Sequence, residues 1–373
     1  MSRGSRGLRI ILSHVYAWPE VRRGGERYVH ELGRALLAAG HRVTIYTTAP
    51  IPRRGNVLGV GVRYLPQRQR LRRYGELSVE ACFGAEVLAR QALAPLDVWH
   101  AFGTADGAAA ATLGRWRPGL RSVYTDLGLP ERAWRESRPD ADLHGRIVRD
   151  VDEYLCLSRY ANEFLLSDYG RAGRVVGGGV DLQRFQPAGS RTDVPTLLYS
   201  GTVSEPRKNL PLLLEALALL RLRQPTVRLV VSGQGDPAPT MERAPQAAVE
   251  ATDLVGPGEV EDLQALYGRA WATVLPSVHE AFGLVLVESL ACGTPVVTLD
   301  EGGPAELAGP GAGFRARART PEALAEACEE ALELAASPGT VEACRAAAAA
   351  HDWQTAVVPK IEAAYRGEPA ADK

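Results

Sequence analysis

Lysine is nearly absent from this sequence of 373 residues. Only Lys208, Lys360 and Lys373 occur among its 43 basic residues, and all the others are arginine. The formal net charge is -1 at pH 7, so the chain has no overall attraction to a polyanion, and a nucleic-acid partner is not expected. Against this arginine-rich background, the single lysine in the middle of the chain, Lys208, is conspicuous.

Cysteine is also scarce, and long apolar runs are missing. The five cysteines are widely spaced and form no C-x-x-C pair, which argues against a disulfide framework and against the usual zinc-binding patterns. No stretch reaches about 18 uninterrupted apolar residues, because Glu215, Arg221 and Glu288 interrupt the best candidates. The sequence therefore predicts a cytoplasmic protein with no membrane span and no metal site.

Short β-rich runs alternate with helical stretches in both halves of the chain. The first half contains "LRIILSHV", "HRVTIYTT" and "DVWHAFG", and the second half starts the pattern again with "TLLYSG", "RLVVSG" and "TPVVTLD". Such alternation is typical of parallel sheets that are covered by helices on both faces. We therefore predict the α/β class, with two Rossmann-like, doubly wound parallel-sheet domains that face across a cleft.

The join between the two halves is the stretch "FQPAGSRTDVP", which has the proline, glycine and polar content of a linker. The predicted division is an N-terminal domain at 1–187, a linker at 188–195, a C-terminal domain at 196–352, and a terminal helix with a frayed tail at 353–373. Open α/β sheets bind ligands beyond the carboxyl ends of their strands, so we expect the site in the loops there.

Two glutamates interrupt the apolar stretch "PSVHEAFGLVLVESLACGTPVV". The pattern places Glu280 in a loop, a tight turn at Gly283, and Glu288 on a short helix that starts near Leu284 and ends at Gly293. In a continuous helix the two carboxylates would be roughly 12 Å apart, which is too far for a glycosidase pair acting on one bond. A charge at Glu288 needs a partner, and either a ligand hydroxyl pair such as a ribose diol or water can supply it.

Several motifs, in the right order, resemble those of the family-four retaining glycosyltransferases of GT-B fold. The segment "EAFGLVLVESLACGTPVVTLDEGGPAEL" resembles the E-x7-E signature of that family, and "GGERYVHELGRALLAAGHRVTIYTT" resembles its first Gly-Gly loop and helix. Likewise "LYSGTVSEPRKNLPLLLEAL" resembles its phosphate-binding segment, and "HDWQTAVVPKIEAAY" resembles its C-terminal helix. The similarity extends over nearly the whole chain.

The resemblance implies transfer of a sugar, with retention of anomeric configuration, from a nucleotide-diphosphate sugar to a hydroxyl acceptor. The donor, expected to be a UDP- or GDP-sugar, would be a co-substrate bound mainly by the C-terminal domain, with no further cofactor. The acceptor would bind mainly to the N-terminal domain, onto which the C-terminal helix would return. No protein nucleophile is needed if the acceptor attacks from the face that the diphosphate leaves.

Carried over position by position, the resemblance assigns catalytic roles to Glu280, which would contact the donor sugar, and to Lys208, which would neutralise the diphosphate. Glu288 would accept the ribose hydroxyls. The full set of implied donor-binding residues is Gly24, Gly25, Gly201, Thr202, Arg207, Lys208, Gly233, Gly256, Glu280, Ala281, Phe282, Gly283, Leu284 and Glu288.

The chain departs from the family pattern at two positions. Thr202 stands where the family commonly has arginine, so Arg207 is the candidate to replace the missing cation. Leu127 stands where the family often has histidine. Either one of the acceptor-binding candidates His14, His100 and Asp126 takes over the contact with donor or acceptor, or this step differs and these residues are structural.

Three alternatives are open at this point. The acceptor is either a lipid or envelope component or a small soluble molecule. The arginine-rich run from Arg63 to Gly75 is either a peripheral contact with an anionic membrane at its inner face or a solvated loop. The reaction is transfer, with nucleotide-sugar epimerisation as a runner-up, or else the chain only binds a nucleotide sugar.

Overall fold

The computed structural model describes residues 7–16, 18–21, 23–68, 70–71, 75–136, 140–256 and 260–369. The chain forms two compact units, one of residues up to Gly179 together with those from Trp353 onward, and one of Val180–Asp352. Within the second unit, Val180 and Asp352 form an isolated parallel bridge. The points where the chain enters and leaves this unit are therefore side by side.

The first unit is built on an eight-stranded sheet in the order β3-β4-β2-β1-β5-β6-β7-β8. Its pairs are parallel except for the antiparallel pair of β3 and β4 at one edge. The strands are β1 (Arg9–Ser13), β2 (Arg42–Ala49), β3 (Arg53–Val57), β4 (Val60–Pro66), β5 (Val98–Ala101), β6 (Arg121–Thr125), β7 (Glu153–Cys156) and β8 (Arg174–Val175). The helices are α1 (Gly24–Ala38), α2 (Glu76–Gln91), α3 (Thr104–Trp116), α4 (Arg132–Glu136), α5 (Ala141–Asp150) and α6 (Arg159–Tyr169).

The second unit is built on a six-stranded parallel sheet in the order β11-β10-β9-β12-β13-β14. The strands are β9 (Thr196–Ser200), β10 (Arg228–Ser232), β11 (Thr252–Val255), β12 (Ala272–Leu275), β13 (Val296–Leu299) and β14 (Gly313–Ala316). The helices are α7 (Leu210–Arg223), α8 (Ala238–Met241), α9 (Gln246–Val249), α10 (Val260–Arg269), α11 (Leu284–Ala291), α12 (Pro321–Ala336) and α13 (Thr340–Ala349). The prediction of two doubly wound α/β domains is confirmed.

The core of the second unit lies between its sheet and the helices α7 and α12. Leu213 and Leu217 of α7 are fully buried in one cluster with strand residues such as Leu229 and Val274. Helix α12 contributes Leu324 and Ala331 to the same cluster. Residues 188–195, predicted as a linker, also pack within this unit, since the Trp271 indole donates a hydrogen bond to the Thr192 carbonyl at 2.8 Å. Among the described residues, no helix has the length and apolar character that crossing a lipid bilayer requires.

The last helix, α14 (Val358–Arg366), packs on the first unit. His41 Nε2 lies 2.6 Å from the Glu362 carboxylate, and His100 Nδ1 lies 2.8 Å from the Tyr365 hydroxyl. Just before this helix, the Trp353 indole occupies the space that a side chain at Gly179 would need. The predicted frayed tail falls largely on residues 370–373, which lie outside the described residues.

The strand order of each sheet defines where loops can converge. In the second unit, β9 lies between β10 and β12, and the chain reverses its direction of winding at β9. Loops that leave neighbouring strands at such a switch point diverge to opposite faces and leave a crevice at the carboxyl ends. The crevice in this unit therefore lies between the loops that follow β9 and β12.

The loops at the carboxyl ends of β9 and β10 approach each other very closely. The Gly201 amide donates to the Ser232 carbonyl at 2.9 Å, and a Cβ atom added to Gly233 would lie 1.7 Å from the Gly201 carbonyl oxygen. Only a residue without a side chain fits at Gly233. This glycine is therefore required by packing at the base of the crevice, whatever the crevice binds.

We expect His100 to make folding stability depend on pH. Burial lowers the pKa of His100 to about 3, so between pH 6.5 and 3 the unfolded chain binds a proton here that the folded chain does not. Stability should therefore fall as the pH drops below about 6.5, by about 1.4 kcal/mol per pH unit for this one proton. The measurement is the urea midpoint of the wild type and of His100→Gln from pH 7.5 to 5. Parallel curves for the two proteins would show that His100 is not the group responsible.

We expect Gly233→Ala to destabilise the second unit by about 3 kcal/mol or more, because the added methyl group overlaps a backbone carbonyl that cannot move away cheaply. Gly309→Ala is the matched control, since an added Cβ there meets no atom within 4 Å. Urea unfolding of both variants, followed by circular dichroism, measures the difference. Equal midpoints for the two variants would contradict the packing argument.

Candidate active site

The candidate site is formed by the two loops that border the crevice of the second unit. One loop follows β9 and contains Gly201, Thr202, Arg207 and Lys208, and the other follows β12 and contains Glu280. A backbone hydrogen bond of 2.9 Å from the Val278 amide to the Arg207 carbonyl joins the loops. Two segments that are about 70 residues apart in sequence therefore form one structure.

The Glu280 carboxylate lies between two cations. Its Oε2 atom accepts hydrogen bonds from Lys208 Nζ at 2.5 Å and from Arg207 Nη1 at 2.7 Å. The Lys208 and Glu280 side chains are only 15% and 14% exposed, whereas the Arg207 side chain is 39% exposed. Arg207 also pairs with Glu205, a residue that the sequence did not bring to notice.

The electrostatics of this cluster keep Glu280 ionised. Burial alone would raise the pKa of Glu280, but the charges of Lys208 and Arg207 and their hydrogen bonds outweigh burial and lower the pKa below its ordinary value. For Arg207, burial acts to lower the pKa, and the two carboxylates around it raise the pKa instead. The cluster therefore holds an ionised Glu280 carboxylate that accepts hydrogen bonds from both Lys208 and Arg207.

The backbone around Glu280 has an unusual conformation. His279 has a φ of 49° and Gly283 a φ of 95°, both in the left-handed region. Helix α11 begins immediately afterwards at Leu284, and Gly293, with a φ of 80°, follows its end. The predicted turn, helix start and helix stop are confirmed, so the amide groups of the first helical turn lie next to the Glu280 loop.

The glycine pair that follows β13, Gly302 and Gly303, packs against the backbone of the Glu280 loop. The Gly303 amide donates to the Glu280 carbonyl at 2.9 Å, and a Cβ on Gly303 would lie 2.0 Å from the Ala281 carbonyl oxygen. This contact explains the "GG" that follows β13. It fixes the loop backbone from Glu280 to Phe282 with the carboxylate directed to the cations.

Glu288 is buried within the second unit rather than facing water. It is 1% exposed, and its Oε2 atom accepts a hydrogen bond of 2.9 Å from the Tyr267 hydroxyl. Tyr267 belongs to α10 and is itself fully buried. A water-exposed glutamate on this helix, one of the two open interpretations, is excluded. Its contact with a ribose stays a prediction.

A cavity of about 380 Å³ adjoins the loops that follow β9, β10 and β11. Gly233, Gly235 and Gly256 provide backbone surface, and Leu254 and Val255, which are 49% and 37% exposed, provide apolar surface. The Gln234 side chain is a polar group in the lining. The predicted donor residues Gly233 and Gly256 thus line one cavity, together with Gln234 from the same glycine-rich stretch as Gly233.

In the first unit, predicted residues also gather at carboxyl ends of strands. His14 directly follows β1, and Gly24 and Gly25 open helix α1. Burial lowers the pKa of His14, which favours the neutral imidazole. A Cβ added to Gly25 would lie 3.1 Å from the Leu127 side chain. Leu127, which replaces the family histidine, therefore packs directly against the Gly-Gly loop.

All three candidates for acceptor binding have structural partners within their own unit, and the partner of His14 is the Tyr16 carbonyl oxygen, 2.5 Å from its Nδ1 atom. His100 is fully buried, with one ring nitrogen on Tyr365 and the other 2.7 Å from the Thr125 hydroxyl. Asp126 accepts from the Gly128 amide at 2.9 Å and from the Tyr154 hydroxyl at 3.3 Å. His100 and Asp126 are buried by these contacts, whereas His14 is only half-buried, so His14 is the candidate that we retain.

The remaining predictions concern metal and membrane. In the part of the chain that the structure describes, no three His, Cys, Asp or Glu side chains are arranged to hold a metal ion. Within the arginine-rich run from Arg63 to Gly75, residues 69 and 72–74 lie outside the described residues, and Arg68 and Arg70 are exposed. Contact of this run with a membrane stays a prediction.

Two family models match consecutive parts of the chain. "Glycosyltransferase Family 4" matches residues 22–184, and "Glycosyl transferases group 1" matches residues 182–350. The boundary between the two matches falls close to the start of the second compact unit at Val180. Each unit therefore corresponds to one family model.

Curated relatives align over almost the full length. D-inositol 3-phosphate glycosyltransferase 1 of Catenulispora acidiphila is 31% identical, with 98% of this chain and 97% of that protein covered. Glycogen synthase of Mycobacterium tuberculosis is 28% identical, with 96% and 95% covered. The similarity includes both units and the terminal helix.

Solved structures of low sequence identity share the fold. Sucrose-phosphate synthase from Thermosynechococcus elongatus is 23% identical with a TM-score of 0.79, covering 96% of this chain and 98% of that one. HepE of Anabaena, in complex with UDP and glucose, is 17% identical with a TM-score of 0.73, covering 96% and 99%. Taken with the family models and the relatives, these findings show that the chain belongs to glycosyltransferase family 4 and is a glycosyltransferase of the GT-B type.

Proposed function

We propose that this glycosyltransferase moves a sugar from a nucleotide-diphosphate sugar to an acceptor hydroxyl with retention of anomeric configuration and without a protein nucleophile. The observation that supports this most strongly is the ionised Glu280 between Lys208 and Arg207. Two cations next to one carboxylate, at the switch point of a doubly wound sheet, suit a ligand that combines a diphosphate with a polyol.

The proposed bond changes involve only donor and acceptor atoms. The acceptor oxygen forms a bond to the anomeric carbon on the face from which the diphosphate leaves, and the bond from that carbon to the β-phosphate oxygen breaks. The leaving oxygen takes the proton of the acceptor hydroxyl. Lys208 and Arg207 stabilise the negative charge that develops on the diphosphate, which is the type of preorganised electrostatic stabilisation that lowers a barrier most.

Glu280 has a positioning and charge-balancing role in this proposal. Because its pKa is lowered, the carboxylate accepts hydrogen bonds from donor-sugar hydroxyls and carries no proton to give. With a diphosphate bound, phosphate oxygens share Lys208 and Arg207 with Glu280. Arg207 then supplies the cation that the family commonly has at the position of Thr202, and Glu205 orients it.

The nucleoside is assigned to the same unit. We assign the ribose to Glu288, which would exchange or share its contact with Tyr267, and the base to the cavity lined by Gln234, Leu254 and Val255. The flat apolar sides and backbone groups of this cavity suit a planar base. The UDP bound to HepE supports a nucleotide donor, and we propose a UDP- or GDP-sugar.

The acceptor is assigned to the first unit, near His14 and the Gly24-Gly25 loop. The names of the relatives, an inositol phosphate glycosyltransferase and a glycogen synthase, support a soluble polyol or glycan over a lipid. The apolar Leu127 beside Gly25 removes one hydrogen-bonding group from this loop, so we expect the acceptor to present a less polar face there. Salt-sensitive sedimentation with anionic vesicles would favour the lipid acceptor instead.

A thermal-shift screen against UDP, GDP, ADP and dTDP tests the nucleotide site. A ligand that binds only the folded protein raises the melting temperature by mass action, and we expect UDP or GDP to do so. Glu288→Gln should lose most of the shift, because an amide cannot accept two ribose hydroxyls as a carboxylate does, and Lys360→Ala should retain it. A screen with no stabilising nucleotide would contradict the proposed function and favour a chain that has lost donor binding.

We expect Glu280→Ala to separate binding from transfer. Transfer should fall by about a hundredfold or more, the loss typical of removing one preorganised group from an active site. The Kd for the nucleoside diphosphate itself should stay equal or become lower, because the carboxylate no longer competes for Lys208 and Arg207. Calorimetry gives the Kd, and NMR of the product gives the anomeric configuration. An inverted product, or full activity in Glu280→Ala, would refute the mechanism.

A further inference from the structure

Trp116 is a large aromatic side chain that the fold leaves in solvent. It is the last residue of α3 and is 82% exposed, whereas Trp99 and Trp353 of the same unit are buried. A single exposed apolar side chain is common on protein surfaces, but an indole that borders a cavity offers a ligand a flat apolar face and a polar N–H group. Nothing in the transfer reaction proposed above uses this residue.

Trp116 lines a cavity of about 430 Å³ between α3 and α5. Two alanines and Thr112 of α3 form part of the lining, and Arg115, Arg146 and Asp150 add charged groups to it. The Thr112 hydroxyl already donates to the Ala108 carbonyl, and its oxygen can still accept a hydrogen bond. The cavity therefore combines one aromatic face with several planar polar groups.

The charges of this cavity are partly balanced. Arg115 lies 3.5 Å from one oxygen of Asp150, and Arg149 lies 3.2 Å from the other. Arg146 is exposed and forms no ion pair with a residue that the structure describes. The Asp150 carboxylate in the lining would repel a phosphate group. The site is also concave, which does not suit contact with a flat membrane surface. A neutral polyol has no such conflict, because its hydroxyls can donate to Asp150 and accept from an arginine.

The cavity lies at the amino ends of the strands, whereas the predicted acceptor residues lie at the carboxyl ends. α3 connects the parallel strands β5 and β6, and α5 precedes β7, so the last residues of both helices lie at the amino ends of the strands. His14 and Gly24 follow the carboxyl end of β1. A ligand in the cavity therefore occupies a site that is separate from the proposed acceptor site of this unit.

We propose that this cavity is a carbohydrate-binding site, in which a pyranose ring stacks on Trp116 while its hydroxyls bond to Asp150 and Arg146. The C–H groups on one face of a pyranose are apolar and slightly positive, which suits the negative face of an indole. The hydroxyls of the sugar can donate to the Asp150 carboxylate and accept from the Arg146 guanidinium, both of which line the cavity. A glycan bound both in this cavity and at the proposed acceptor site would bind more tightly than at either site alone, because binding would be multivalent.

Electrophoresis in native gels that contain glycogen, dextran or yeast mannan tests the site. We expect at least one of these polysaccharides to retard the wild type, and Trp116→Ala to weaken the interaction by about tenfold or more, since a stacked ring is lost. Leu93→Ala is the matched control, because Leu93 is 97% exposed and does not line the cavity. It should be retarded like the wild type. Circular dichroism and the melting temperature confirm that all variants are folded.

Glu280→Ala separates this site from the active site. The site at Trp116 predicts that Glu280→Ala is retarded like the wild type, even though its transfer activity is lost. If Glu280→Ala abolishes the retardation, the polysaccharide binds at the active site and the proposal is wrong. It is equally wrong if no polysaccharide retards the wild type, or if Trp116→Ala changes binding to anionic vesicles and not to polysaccharide. None of these outcomes depends on whether the proposed donor is right.

Discussion

The candidate site depends on one electrostatic arrangement, the Glu280 carboxylate held by Lys208 and Arg207. Burying a lone carboxylate is costly, and burying two neighbouring cations without a counter-charge is costly as well. Together they form ion pairs that balance these charges and hold the side chains in place before any ligand arrives. In the proposed reaction, a site prepared in this way would not have to reorganise when negative charge develops on the leaving diphosphate.

Strand order brings this arrangement together. Two strands, β10 and β11, separate β9 from β12 along the chain, but β9 and β12 are neighbours in the sheet. The loop carrying Lys208 therefore meets the loop carrying Glu280. Close glycine contacts then fix both loops: Gly233 against Gly201 on one side and Gly303 against Ala281 on the other. The backbone packing of four glycine-rich turns thus sets the position of three charged side chains.

Periodicity and motif order predicted most of the fold, but they did not predict two edge strands, β3 and β14. β3 is polar, contains a glycine and is largely exposed, and β14 lies in a stretch rich in glycine and arginine, so neither has an apolar pattern. The site was partly predictable: the motif identified Glu280, Lys208 and Glu288, and the odd lysine drew attention to Lys208. The partners Tyr267 and Glu205 could not be predicted, because their roles arise from tertiary contacts of ordinary-looking helix and loop residues.

The choice of lysine at position 208, in a chain that otherwise uses arginine, has a physical reason. Lys208 is largely buried, with 15% of its side chain exposed, and its ammonium group contacts Glu280 as a compact point charge. Arg207 is more exposed and spreads its planar guanidinium across both Glu205 and Glu280. A second guanidinium would need more space and more hydrogen-bond acceptors than one carboxylate offers. In the proposed reaction, the three donors of the lysine ammonium group let it contact Glu280 and a phosphate oxygen at the same time, while the guanidinium holds the carboxylate in place.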